Sequence, residues 1–111
     1  MATEQDMLKK KLKCYSLISN PTRFKILASL LTSKTLGTGS SHTFTDLQRV
    51  LKVSSPDLNY HLKTLTKSNM IYRKPSSENK KEVLYDLTMD GYNLLKNVGI
   101  TEKLIRKIDK K

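Results

Sequence analysis

The sequence predicts a mainly α fold with one small β-hairpin, its elements in the order α-α-(β)-α-α-β-β-α. Two observations carry that prediction. Apolar residues recur at the three- and four-residue spacing of amphipathic helices through most of the chain. Only "MIYRKP" (residues 70–75) and "EVLYDLT" (residues 82–88) alternate apolar and polar residues as half-buried strands do, on either side of the polar "SSENKK". With 111 residues, 37% of them hydrophobic and 28% charged, the chain has room for one such domain and is too short for two ordinary ones.

The first helix is expected over residues 3–18, where Met7, Leu8, Leu12, Cys14, Tyr15 and Ile18 gather on a broad face. Lys9, Lys10 and Lys13 point elsewhere, and Lys11 falls inside the apolar arc. "SNPTRFKILASLL" restarts the helix: Asn20 suits the N-cap, Pro21 the first helical position, and Phe24, Ile26, Leu27, Leu30 and Leu31 the buried side. Residues 32–42, rich in Gly, Ser and Thr, read as a loop.

Thr43 and Phe44 then suit a brief strand. Thr45 can cap a short helix, "DLQRVL", with Leu47, Val50 and Leu51 facing inward. "KV" is a tight connector, Ser54 caps the next helix, and Pro56 lies in its first turn, where a missing amide hydrogen costs little. Two short helices so joined are a helix-turn-helix. Asn69 can take the left-handed conformation that ends the second of them, and the hairpin follows. From Asp90 the period is helical again, with Leu94, Val98, Leu104, Ile105 and Ile108 on one side and Gly99 kinking or dividing the helix.

Within "SSPDLNYHLKTL" (residues 54–65), Leu58, Leu62 and Leu65 fall within about 60 degrees of one another on a helical projection. Pro56, Tyr60, Lys63 and Lys67 lie opposite, with Asn59 and Ser55 at the flank. This chemistry suits a DNA major groove: Asn bonds adenine bidentately, Lys meets guanine or phosphate, and Tyr and Ser meet phosphate. The alternative is an ordinary solvated face. Charge bears on the choice, because the chain carries a net +11 and residues 49–81 hold eight basic residues against two acidic ones. Arg73, Lys74, Lys80 and Lys81, near the hairpin tip, are placed to neutralise phosphates or probe a minor groove.

Such an excess of positive charge is costly unless an anion relieves it, nucleic acid first and an anionic membrane surface second. No apolar run approaches the roughly 18 residues needed to span a bilayer, and the first 20 residues lack the apolar core of a signal peptide, so a cytoplasmic, nucleoid-associated protein is expected. One cysteine, Cys14, makes no internal disulfide and reads as a small core hydrophobe. His42 falls in a polar loop and reads as solvated; His61 lies at the edge of the buried stripe, packed or bonded to a phosphate rather than to metal. No Gly-rich phosphate cradle, paired carboxylates or nucleophile-base set points to an enzyme, and no cofactor is expected.

Four stretches together resemble the winged helix-turn-helix transcription regulators, in particular the arsenic-repressor-like (ArsR) group. They are "NPTRFKILASL", "LKVSSPDLNYHLKTL", "SNMIYRK" and "LYDLTMDGYNLL", spanning residues 20–95. The resemblance implies a recognition helix over residues 54–67, with Ser55, Pro56, Asn59, Tyr60 and Lys63 at the positions that meet DNA; Ser54, His61 and Lys67 are expected beside them. It implies a wing over residues 70–88 whose Arg73, Lys74, Lys80 and Lys81 lie against the flanking backbone, and a helix-turn-helix over residues 45–67. The terminal helices, 1–19 and 90–111, would form a homodimer through Leu8, Leu12, Tyr15, Leu94, Val98, Leu104, Ile105 and Ile108. Their apolar faces fit that role independently, since they would overfill one small core; intramolecular packing is the alternative.

Metal-sensing members of that group carry a Cys-x-Cys pair where this chain has Thr43 and Thr45, and the group's Asp/His site on the last helix has no counterpart, so metal sensing is not expected. The expected function is a dimeric, sequence-specific regulator of double-stranded DNA acting as a repressor, with no effector indicated. A non-specific chromatin-type DNA binder and a winged-helix protein-interaction module are the competing readings.

Overall fold

Capping sets most of the helix boundaries in the computed structural model, which describes residues 3–35, 42–75 and 82–99. Helix α1 (Glu4–Ser19) opens with a capping box in which Thr3 Oγ1 accepts from the Asp6 amide at 3.1 Å and Asp6 accepts from the Thr3 amide at 3.2 Å. Asn20 ends α1 in extended backbone, and its Oδ1 accepts from the Arg23 amide at 3.0 Å. Pro21 therefore opens α2 (Pro21–Thr35) where the sequence placed it.

The expected loop begins later, because α2 stays helical to Thr35. His42, read as part of that loop, instead pairs with Tyr85 in the two-residue strand β1 (His42–Thr43). Thr43 caps α3 (Phe44–Leu51) through a capping box with Asp46, so the cap lies two residues before the expected Thr45 and Phe44 is helical rather than extended. Thr43 holds the cap through that reciprocal pair: its Oγ1 accepts from the Asp46 amide at 3.0 Å and Asp46 Oδ2 accepts from the Thr43 amide at 3.3 Å. The shift also corrects Val50. Phe44, Leu47 and Leu51 now form the inward stripe, and Val50 is 60% exposed.

Helix α4 (Ser55–Lys67) is capped by Ser54, whose Oγ accepts from the Asp57 amide at 3.3 Å, with Pro56 in the first turn as expected. Ser54→Ala should cost about 1 kcal/mol, read as a lower urea midpoint at unchanged slope. Leu58, Leu62 and Leu65 are all buried. Asn69 takes the left-handed conformation (φ 61°) and turns the chain into the sheet.

The hairpin is part of a three-stranded antiparallel sheet, β2 (Ile71–Pro75) and β3 (Val83–Leu87) joined on the far edge by β1, in the order β1-β3-β2. Ile71 opposes Leu87 over the core, whereas residues 72–75 are exposed, so β2 does not alternate in burial as its sequence suggested. It is an edge strand running outward past the core. Helix α5 (Met89–Asn97) starts on Thr88, whose Oγ1 accepts from the Gly91 amide at 3.0 Å. The core is centred on α2, which packs against α1, α3, α4 and β3. Ile26, Leu27, Leu30, Leu47, Leu58, Leu62, Leu65, Ile71, Leu87 and Leu95 are its most deeply buried side chains.

Candidate nucleic-acid interface

The turn between α3 and α4 is held by one side chain. Lys52 adopts the left-handed conformation (φ 56°) and its amide donates to the Gln48 carbonyl at 2.9 Å, closing α3. The Gln48 side-chain amide then donates to Ser55 Oγ at 2.7 Å and to the Val53 carbonyl at 3.4 Å. The two serines thus face their own fold first: Ser54 caps α4, and Ser55 accepts from Gln48 while its hydroxyl proton stays available to an acceptor such as phosphate.

With the leucine stripe buried, α4 turns Pro56, Asn59, Tyr60, Lys63 and Lys67 to the surface, Tyr60 being 63% exposed. A groove of about 550 Å³ runs between α4 and the sheet, lined by Asn59, Lys63 and Lys67 on one side and Arg73 and Tyr85 on the other. The register explains how Arg73 arrives there: it opposes Tyr85, and its guanidinium lies 6.0 Å from the centre of that ring. Three cations therefore converge on a groove that has no carboxylate among its described lining residues. Lys74, one residue on, takes the opposite face of the strand and lies 6.0 Å from the Tyr72 ring centre. Lys80 and Lys81 lie outside the described residues. Arg49 pairs with Asp46 on its own helix at 3.2 Å, an exposed pair of little energetic consequence.

His61 lies where the sequence put it, at the edge of the buried stripe: its ring is half-buried, with Nδ1 3.3 Å from Arg23 Nη1. Burial and the neighbouring guanidinium push its pKa below the ordinary 6.5, against an opposing pull from Asp57. The ring also meets the adjacent Tyr60 edge-on, centres 5.2 Å apart at 73°. Sequence reasoning missed both Arg23 and Gln48 as supports of this surface. Arg23 sits within the "NPTRF" motif, which was the one available signal; Gln48 offered none.

The residues expected at a dimer interface divide. Met7, Leu8, Leu12 and Tyr15 leave the apolar side of α1 41–56% exposed, while only Leu17 of that helix is buried and Cys14 and Ile18 pack partly against the core. Val98 is exposed, but Leu94 is buried inside the domain, because the first two turns of α5 pack Gly91, Leu94 and Leu95 against the core. That corrects the expectation for Leu94. Leu104, Ile105 and Ile108 lie outside the described residues. Between α1 and α5 lies a cleft of about 700 Å³, flanked by Lys10, Cys14 and Tyr15 on one side and Asp90, Asn93 and Asn97 on the other. Among the described residues no group of three or more His, Cys, Asp or Glu side chains could hold a metal ion, and no helix is long and apolar enough to cross a membrane.

Residues 19–83 match the family model of the MarR family. The match favours that family over the ArsR group resembled by the motifs; the two share the winged-helix plan, and the finer ArsR-like grouping is not supported. No match was found among curated proteins. Among solved structures, HlyU from Vibrio cholerae is similar at 18% identity and TM-score 0.67, over 86% of this chain and 94% of that one. A complex of S. aureus MepR with DNA is similar at 16% identity and TM-score 0.66, over 96% and 83% of the two chains. A cysteine-to-serine mutant of MarR from E. coli, complexed with operator DNA, is similar at 24% identity and TM-score 0.60, over 81% and 63%. At these identities the likeness establishes a shared winged-helix fold.

Proposed function

We propose that this chain, which belongs to the MarR family, is a sequence-specific regulator of transcription that reads the major groove of double-stranded DNA with α4. The wing of β2 and β3 holds the flanking backbone or minor groove. The carrying observation is the groove on which Asn59, Lys63 and Lys67 of α4 and Arg73 of the sheet converge, with no acidic side chain among its described lining residues and with Tyr60 exposed on the same helix. Two of the structures similar to it hold DNA. The domain then divides into a helix-turn-helix (residues 45–67), a wing (70–88) and dimerisation segments (1–19 and 90–111), and it works beside the chromosomal DNA. Support for a homodimer comes from the apolar side of α1, where Leu8, Leu12 and Tyr15 stay 41–56% exposed. Two copies would place their α4 helices in successive major grooves and exclude polymerase, which is repression.

Fluorescence anisotropy with the duplex upstream of the protein's own coding sequence and a scrambled duplex, across a salt series, tests the proposal. Preference for the upstream duplex together with steep salt dependence is expected. Arg73→Gln should weaken both complexes and reduce the slope of log affinity against log salt by about 1 per protomer. An unchanged slope would remove Arg73 from the interface. Absence of binding to either duplex would point to a protein partner.

A further inference from the structure

Arg23 makes hydrogen bonds that join three helices. Its amide donates to Asn20 Oδ1 (3.0 Å) at the start of α2, its Nε donates to the Leu17 carbonyl (2.8 Å) in the last turn of α1, and its Nη1 lies 3.3 Å from His61 Nδ1 on α4. Arginine carries donors only, so the imidazole accepts at Nδ1 and holds its proton at Nε2. The same ring meets the edge of Tyr60, which is exposed on the face of α4 proposed to meet DNA.

We infer that Arg23 is a positioning residue for DNA recognition: anchored to the end of α1, it seats the neutral His61 ring and thereby sets the rotation of α4 and the placement of Tyr60. The inference rests on the reading of α4 as the recognition helix. The Leu17 carbonyl belongs to the last turn of α1, whose carbonyls have no partner within the helix, so Arg23 satisfies that helix end while reaching α4. A planar guanidinium can hold both acceptors at once; a lysine ammonium on a flexible stem presents no such fork.

The contact also carries a sign. Among the described residues, the charged groups acting on His61 are Arg23 from α2 and Asp57 one turn earlier on α4. Protonation removes the acceptor at Nδ1 and sets an imidazolium against a guanidinium. A histidine whose pKa is lowered by folding contributes stability that is present above its ordinary 6.5 and is lost as pH falls through the lower folded value. The seating of α4 therefore weakens on acidification. A histidine in direct contact with phosphate does the reverse, since its protonation adds a cation to the interface and strengthens binding at low pH.

The test uses the full chain and three variants, Arg23→Met, Arg23→Lys and His61→Gln, each checked for wild-type circular dichroism. Imidazole NMR follows His61, and anisotropy follows preference for a target over a scrambled duplex, both from about pH 8 to about pH 5.5. In the wild type, His61 should be the Nε2–H tautomer and titrate below its ordinary 6.5, and preference should fall about tenfold across that range. Arg23→Met should show the reduced preference already at neutral pH with a flattened pH profile, and Arg23→Lys should not restore it. His61→Gln keeps an acceptor for Arg23 and loses both the ring and the titration, so whatever preference it retains should not change with pH over that range.

Unaltered preference and unaltered His61 titration in Arg23→Met would overturn the inference, as would wild-type preference that rises on acidification. The NMR arm needs no DNA: a His61 ring titrating independently of Arg23 overturns the inference alone. A ring seated as described, in a protein that prefers no duplex at any pH, overturns the recognition-helix reading and the positioning role with it.

Discussion

Replacing Asn59 and Tyr60 together by alanine should lower affinity for a target duplex by about a hundredfold, on the order of 3 kcal/mol, while binding to scrambled DNA stays within about threefold. Both side chains are exposed and neither supports the core, so the variant should fold as the wild type does. Asn59 is the residue on this face whose amide can present a donor and an acceptor side by side to an adenine edge. Tyr60 adds an exposed ring and hydroxyl. Lys63, Lys67 and Arg73 remain in the variant, and their attraction to phosphate does not depend on sequence. The loss should therefore fall on discrimination. An equal drop on both duplexes would show that these residues serve affinity and not readout.

The largest effect on stability is expected at Gly91. A Cβ built there collides with the Met70 carbonyl oxygen, and Leu87 Cδ2 stands 3.2 Å away on the other side. The Met70 carbonyl cannot retreat freely, because it accepts the Thr88 amide at 3.1 Å. The same junction is pinned by Thr88 Oγ1 donating to the Asn69 carbonyl (2.6 Å) and by Asn69 Nδ2 donating to Asp90 Oδ2 (2.9 Å). Gly91 is helical, and what it supplies is close approach of α5 to the chain leaving α4. Helix propensity alone would make Gly91→Ala stabilising by about 1 kcal/mol. The collision reverses that sign, for a net loss of roughly 3 kcal/mol, or a melting temperature lower by about 15 °C. A thermal melt decides between the two, and a raised or unchanged melting temperature would show that α5 can move away.

What could be read in the sequence was local, and what could not was either distant or a matter of two residues. Asn20 with Pro21, Ser54 with Pro56, and the left-handed Asn69 were legible because each acts on its own backbone through a side chain or a fixed torsion. The leucines of α4 were legible because the helix is long enough to repeat its stripe. In α3 the same reasoning failed. A start at Phe44 instead of Asp46 rotates the inward face, and an eight-residue helix has too few turns to expose the error, so Val50 was assigned to the core. Leu94 was read as interface because a periodic face does not say whether its cover comes from the same chain or another. The groove between α4 and Arg73 depends on the β2–β3 register, and the bond from Arg23 to His61 spans 38 positions, so neither leaves a local trace.

Whether α4 reads base sequence is decided by selection of duplexes from a random pool by the full chain, with sequencing of what is retained. A reading α4 should enrich an inverted repeat whose half-sites lie about one helical turn apart, and the Asn59→Ala, Tyr60→Ala variant should enrich none. A pool retained through steeply salt-dependent binding but without enrichment by the wild-type chain would contradict sequence readout, and would make this winged helix a general binder of DNA.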